Sequence, residues 1–346
     1  MLDFAPPPVP LLQHALKLHQ LNPNASLFHW GEPVPGQAAF QSRRGVEHNE
    51  RGAAAAAAFA CHLAAGPPYS ALREAILDTG LIDAADPQVA QVLANVPSEQ
   101  LRRLGCSWAY EAFEPELVHA GLELLRGRAT ARDVPNVQVL GLLSRLFGRA
   151  ALDILAGLEG QLPAMLWPAD RSDSWGRVHA VHLLRRERDH RARAWLLRRA
   201  VNGDHLNQYF AGELAEDLAI HSVLATPALD AELVDHLGRM LRMMTNCQGM
   251  GRLLADYVFA DTALTEYARH AAALAPTIDR HITLHALRKW ALVHTSSTAA
   301  ALTTLLHRPG WEDGVRQRLL DPEEPWHPGG AWLAEQLSLD VARLDP

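Results

Sequence analysis

The sequence predicts an all-α protein. Few segments alternate apolar and polar residues with period two, the pattern of a half-buried strand, and Val and Ile are sparse beside Leu and Ala. In the second half a helix–break–helix–break–helix pattern recurs, with helices expected over 175–187, 190–201 and 205–222, then 230–244, 247–259 and 262–274, then 278–294, 297–307 and 311–320. The starts Trp175, Asp230 and Ile278 lie roughly 50 residues apart, beyond the roughly 40–47 of common helical repeats. A unit of this kind cannot bury its apolar face alone, so its neighbours must stack on it. The expectation is an α-solenoid-like stack of helix pairs or triplets, with an irregular multi-helix bundle as the alternative.

Taken in order, residues 1–50 read as an extended N-terminal segment with one short helix. Four prolines fill the first ten positions, Leu11 to Gln20 forms the helix, and Asn22-Pro23, Gly31, Pro33, Pro35 and Gly36 then punctuate an irregular stretch. Its aromatic cluster Phe28, His29 and Trp30 is expected to pack back on the body. Residues 51–168 read as an N-terminal helical layer. The alanine run Ala53–Ala58 opens a tightly packed, buried helix, and further helices follow near 69–79, 86–95, 98–105 and 115–126. Pro135-Asn136 starts an apolar stretch to about 159. The polar run 168–174 is the best linker. Residues 169–320 form the repeat region, with helix starts capped by Asp189, Asn246 and Ser297. Residues 321–346 form a C-terminal cap, in which Ala331–Leu337 closes the open end of the stack.

Composition narrows the function classes. Net charge is −7 and 48% of the residues are hydrophobic, which gives no global pull toward nucleic acid or anionic membrane. Cys61, Cys106 and Cys247 are scattered without a CxxC pair, so neither a zinc ribbon nor a disulfide framework is indicated. No apolar run reaches membrane-spanning length, and MLDFAPPPVP lacks the layout of a signal peptide, so a cytoplasmic location is the expectation. Lysine occurs only as Lys17 and Lys289 against many arginines, which fits a GC-rich, bacterial genome. No cofactor is implied.

Leu-rich helices broken by short polar links, LVDHLGRMLRMMTNCQGMGRLLADYVF and HALRKWALVHTSSTAAALTTLLHR, resemble armadillo and HEAT repeats over roughly 175–320. Consensus Asp and Arg positions of HEAT units are met only around Asp189 and Arg193. In armadillo-type units the third helix lines the concave ligand surface. The resemblance therefore implies a binding groove carrying Tyr209, Glu213 and Asp217, with Tyr267 and His270 from the next unit.

The most unusual stretch is HLNQYFAGELAEDLAIHS, 205–222. On a helical projection Leu206, Phe210, Leu214 and Leu218 form one apolar arc, with Asp217 and His221 inside it and Glu213 at its edge. Gly212, Ala211, Ala215 and Ala219 form a second face small enough for another helix. Carboxylates among apolar neighbours need a partner. Three readings follow: an ion pair with an arginine from 185–199, a groove lined by these groups, or a metal held by Glu213, Asp217 and His221. His281 and His285 are four apart, adequate for a shared metal, but the general-base glutamate of HExxH is missing.

No DDxxD, HD dipeptide, GxSxG, Walker A or dinucleotide fingerprint occurs, and no catalytic residue stands out. The first functional reading is a non-enzymatic protein- or peptide-binding repeat module with an acidic groove, a scaffold whose partner carries a basic segment. An alternative is nucleic-acid binding, with HEAT-like DNA glycosylases as the analogy, through Arg185, Arg186, Arg188, Arg191, Arg193 and Trp195. A further alternative is an all-α metal-dependent enzyme using Glu213, Asp217 and His221.

Overall fold

The structure, a computed structural model, describes residues 9–24, 48–63, 66, 67, 69–160, 162–321 and 329–339; the side chains of residues 48, 49, 145 and 296 are not described. The expectations for the proline-rich start, for Phe28, His29 and Trp30, and for most of the 321–330 tail lie outside these residues. Among the described residues every regular element is helical and no strand occurs. The chain divides into two compact units, 1–180 and 181–346. The division falls inside a helix, Ser174–Leu184, and not at the 168–174 linker, where a helix runs through Pro168 to Arg171.

The first unit contains α1 (Leu11–Leu21), α2 (His48–His62), α3 (Ser70–Thr79), α4 (Pro87–Leu93), α5 (Ser98–Glu111), α6 (Pro115–Leu125), α7 (Val134–Leu143), α8 (Arg145–Ala156), α9 (Leu162–Arg171) and the start of α10 (Ser174–Leu184). Its centre is α6, every residue of which is buried, including Glu116, His119 and Glu123. α5, α8 and α3 cover it. The α5–α6 contact is backbone on backbone: a Cβ on Gly121 would stand 2.3 Å from the Ala109 amide nitrogen. Asp133 binds the turn before α7 to α5, accepting from the Thr130 amide at 2.7 Å, Tyr110 Oη at 3.1 Å and Arg102 Nη2 at 2.8 Å. The alanine helix α2 forms as expected but buries only one side. Ala55, Ala56 and Ala58 are covered, whereas Ala53, Ala54 and Ala57 are exposed.

The second unit contains α11 (His190–Arg199), α12 (Ala211–Asp217), α13 (Ile220–Leu224), α14 (Ala231–Met244), α15 (Ala260–Ala272), α16 (Ile278–His294), α17 (Ser296–Leu306), α18 (Trp311–Leu320) and α19 (Gly330–Gln336). Asp189, Asp230 and Thr277 cap α11, α14 and α16 through their side chains, each accepting a first-turn amide. Helices pack in two rows. One row runs α11, α14, α16, α18; the other runs α13, α15, α17. α19 rests on α16 and α18. Polar ties hold neighbours within a row. Arg280 on α16 grips Asp235 on α14 at 2.9 and 2.8 Å, and Arg239 and Arg242 both reach Asp279. Between rows, Gly238 lets α14 meet the Tyr267 ring, which a Cβ there would touch at 2.5 Å.

Two expected helices need correction. The 205–222 helix is three short pieces: a 3-10 turn over His205–Tyr209, then α12, then α13, with Ala219 between the last two at φ 49° and ψ 54°. The expected 247–259 helix is absent. That segment is turns with one 3-10 turn, Leu254–Asp256, and Asn246 accepts from the Gln248 amide at 3.3 Å instead of capping a helix. Glycine explains it: a Cβ on Gly251 would meet the Gln208 carbonyl oxygen at 2.1 Å, so the backbone there is pressed against its neighbour. The second triplet thus has two helices, not three. Ser297 also does not cap its helix, which begins one residue earlier behind Thr295.

Candidate functional site

The arginine-rich stretch and the acids of α12 meet on one side of the second unit. Asp189 starts α11 by accepting the Arg191 amide at 2.7 Å, and the Arg191 guanidinium closes on the same carboxylate at 2.7 Å. These hydrogen bonds hold the Asp189 carboxyl down at about 2. Arg185, just past α10, donates to Asp217 through Nε at 2.7 Å and also pairs with Glu213. Arg193 donates through Nη2 to the Leu218 carbonyl at 2.9 Å. Arg198 forks onto Asp230 at 2.9 and 2.6 Å, holding that carboxyl at about 2 as well. A depression of about 410 Å³ opens here, floored by Leu196, Leu214 and Leu218. Its rim carries Arg185, Arg188 and Arg193 against Glu187, Asp189 and Asp217, so the formal charges balance.

The expected groove set does not assemble. Glu213 and Asp217 do come together, but at an exposed face and clamped by Arg185, which leaves no acidic groove for a basic segment. Asp217 shares α12 with the buried Leu214, but its carboxylate is half exposed and turned to Arg185. Tyr209 is half-buried at the end of the 3-10 turn. Tyr267 is fully buried against Gly238, and His270 is buried with Nε2 at 2.8 Å from the Leu224 carbonyl oxygen. Tyr267 packs between the rows, and His270 packs on α13 within its own row.

The metal set Glu213, Asp217 and His221 does not converge either. His221 lies beyond the Ala219 break, with Nδ1 2.9 Å from the Tyr257 hydroxyl and its ring stacked on Phe259 at 3.7 Å. Among the described residues no three metal-ligating side chains gather. Of the nucleic-acid set, Arg185, Arg191 and Arg193 are engaged within the unit, and Trp195 is buried, so it offers no stacking platform. Arg186 and Arg188 remain exposed on the loop between α10 and α11.

Sequence reasoning missed a second feature. Thr298 at the start of α17 donates to Asp261 at the start of α15 at 2.5 Å, so these two helix starts lie together. The residues just before them are apolar and exposed: Val258 (88%) and Phe259 before α15, and Leu292 and Val293 (79%) before α17. Singly exposed apolar side chains are ordinary, whereas several before adjoining helix starts make a candidate surface. Periodicity does not reveal it, because Leu292 and Val293 sit in a regular helical pattern, and Val258 and Phe259 fall at the end of the helix the pattern predicts over 247–259. Compared with protein-family models, with curated proteins and with solved structures, the chain matches none.

Proposed function

We propose that the chain is a protein-binding helical-repeat module whose 181–346 unit docks a partner on the apolar helix ends at Val258, Phe259, Leu292 and Val293. The observation that carries this reading is the pairing of α15 and α17 at Asp261–Thr298, which joins the two helix starts that these four exposed side chains precede. The two-row order, in which α13, α15 and α17 and likewise α14, α16 and α18 pack each on the next but one, supports the likeness to HEAT and armadillo stacks. Such stacks bind without a catalytic constellation. The partner meets an apolar surface and not an acidic groove suited to a basic segment, since Arg185 already pairs with Glu213 and Asp217. A cytoplasmic scaffold is the role that fits. No helix among the described residues is long and apolar enough to cross a membrane.

The test is a double variant, Val258→Asp with Val293→Asp, compared with wild type by quantitative affinity capture from the source cell. Both positions are largely exposed, so the variant should melt with wild type, within the small range of surface substitutions. The expected outcome is one or a few proteins enriched on wild type and lost on the variant. Equal capture by the two chains would overturn the reading.

A further inference from the structure

α16 carries two histidines one helical turn apart, His281 and His285, on the side that meets α18 and α19. Ile278, Ile282, Val315, Leu319 and Leu333 from the same three helices form a small apolar cluster beside them. The imidazole centroids are 4.8 Å apart with their planes inclined by 59°. Trp311 lies 6.4 Å from the His281 ring, and Trp332 lies 5.9 Å from the His285 ring.

His281 is 2% exposed, and its Nδ1 has no hydrogen-bond partner among the described residues. A buried, unpaired imidazole nitrogen is costly, and such a group calls for an explanation. Neutral imidazole is the form that ligates a metal.

The spacing fits shared coordination. A metal–nitrogen bond of about 2.0–2.1 Å places an imidazole centroid about 3.2 Å from the ion. With both rings turned to one ion, centroids 4.8 Å apart subtend about 97° there. That angle lies between the square-planar and tetrahedral values, the range that zinc, copper and nickel accept with nitrogen ligands.

We propose that His281 and His285 form a two-histidine site for a divalent transition cation of the zinc, copper and nickel class, with water completing the coordination. Around the pair, Glu312, itself gripped by Arg316 at 3.0 and 2.7 Å, and His307 lie near both imidazoles, and Arg288 lies near His285. Both ligands come from one helix, so the bound ion clamps a turn of α16 where α18 and α19 pack. It stabilises the fold by mass action, since the unfolded chain has no preformed pair. The half-buried His285 is the entrance, with the exposed edge of Trp332 beside it.

The test is isothermal titration of the full chain with zinc chloride, repeated on His281→Gln, His285→Gln and His190→Gln. The last removes an exposed histidine at the start of α11 and controls for adventitious binding by a chain with 18 histidines. Wild type and His190→Gln should bind one equivalent, with affinity weakened about tenfold or more in the other two. Copper(II) loaded at one equivalent should show two imidazole nitrogens by electron paramagnetic resonance. Melting in chelator checks each variant's fold first; should His281→Gln fail to fold, His285→Gln alone decides. Undiminished affinity in His285→Gln, no binding by wild type at sub-millimolar zinc, or a single imidazole nitrogen on copper would each overturn the proposal.

Discussion

The Arg193 guanidinium donates to the carbonyl of Leu218 at 2.9 Å, and at the next residue the chain turns left-handed. The two facts belong together. Ala219 at φ 49° costs roughly 1–2 kcal/mol relative to helical backbone, and the arginine satisfies a carbonyl that a continuing helix would have used. Arg193→Met should therefore destabilise the protein by about 1 kcal/mol. Ala219→Gly should stabilise it by up to about 1 kcal/mol, because glycine takes that conformation without a Cβ clash. Urea denaturation of the two variants measures both. A destabilised glycine variant would mean that Ala219 is not strained.

Leu214 is fully buried in the arc with Leu206, Phe210 and Leu218. Leu214→Asp places an uncompensated carboxylate there, at an expected cost of about 4 kcal/mol or more. The readout is thermal melting and soluble yield. A melting temperature equal to that of wild type would show that α12 turns another face to the core.

Gly121→Ala forces a Cβ to within 2.3 Å of the Ala109 amide nitrogen. The α5 and α6 backbones must part, at about 1–3 kcal/mol. The matching change on α5, Gly105→Ala, meets its nearest atom at 3.0 Å and should cost less. Chemical denaturation of the pair tests the order; the reverse order would place the tight contact elsewhere.

His119, inside α6, sets a pH dependence. Burial pushes its pKa down from 6.5 to about 4, and its Nδ1 is unpaired. Between those two values the unfolded chain binds a proton that the folded chain refuses. Stability present above pH 6.5 is thus lost as pH falls toward 4, on the order of 3 kcal/mol over the interval. In His119→Leu the decline should be shallower, measured as unfolding free energy against pH. A slope matching wild type would assign the loss to other groups.

The helix class, most helix positions and the buried arc Leu206, Phe210, Leu214 and Leu218 were legible, because each rests on local spacing of apolar residues. The stop at Ala219 was not. Alanine is the best helix former, and the group that ends α12 is a guanidinium from α11. At 247–259 a signal was present in Gly249 and Gly251, but Leu253 and Leu254 outweighed it. The arginine partners of Glu213 and Asp217 were anticipated as one reading, and Arg185 supplies them. Tyr267 and His270 were placed by analogy with a third repeat helix, and the glycine on α14 that receives the Tyr267 ring carries no mark of that role in the sequence.

With Glu116, His119 and Glu123 all enclosed, α6 has no side on which water can remain while its surroundings loosen. Fraying of any covering helix would admit solvent to apolar residues and strand a carboxylate or an imidazole together. Intermediate openings of the 1–180 unit are therefore penalised. The amides of Leu117–Leu125 should be released to exchange only when the whole unit comes apart, which makes this helix the slow clock of its cooperative unfolding.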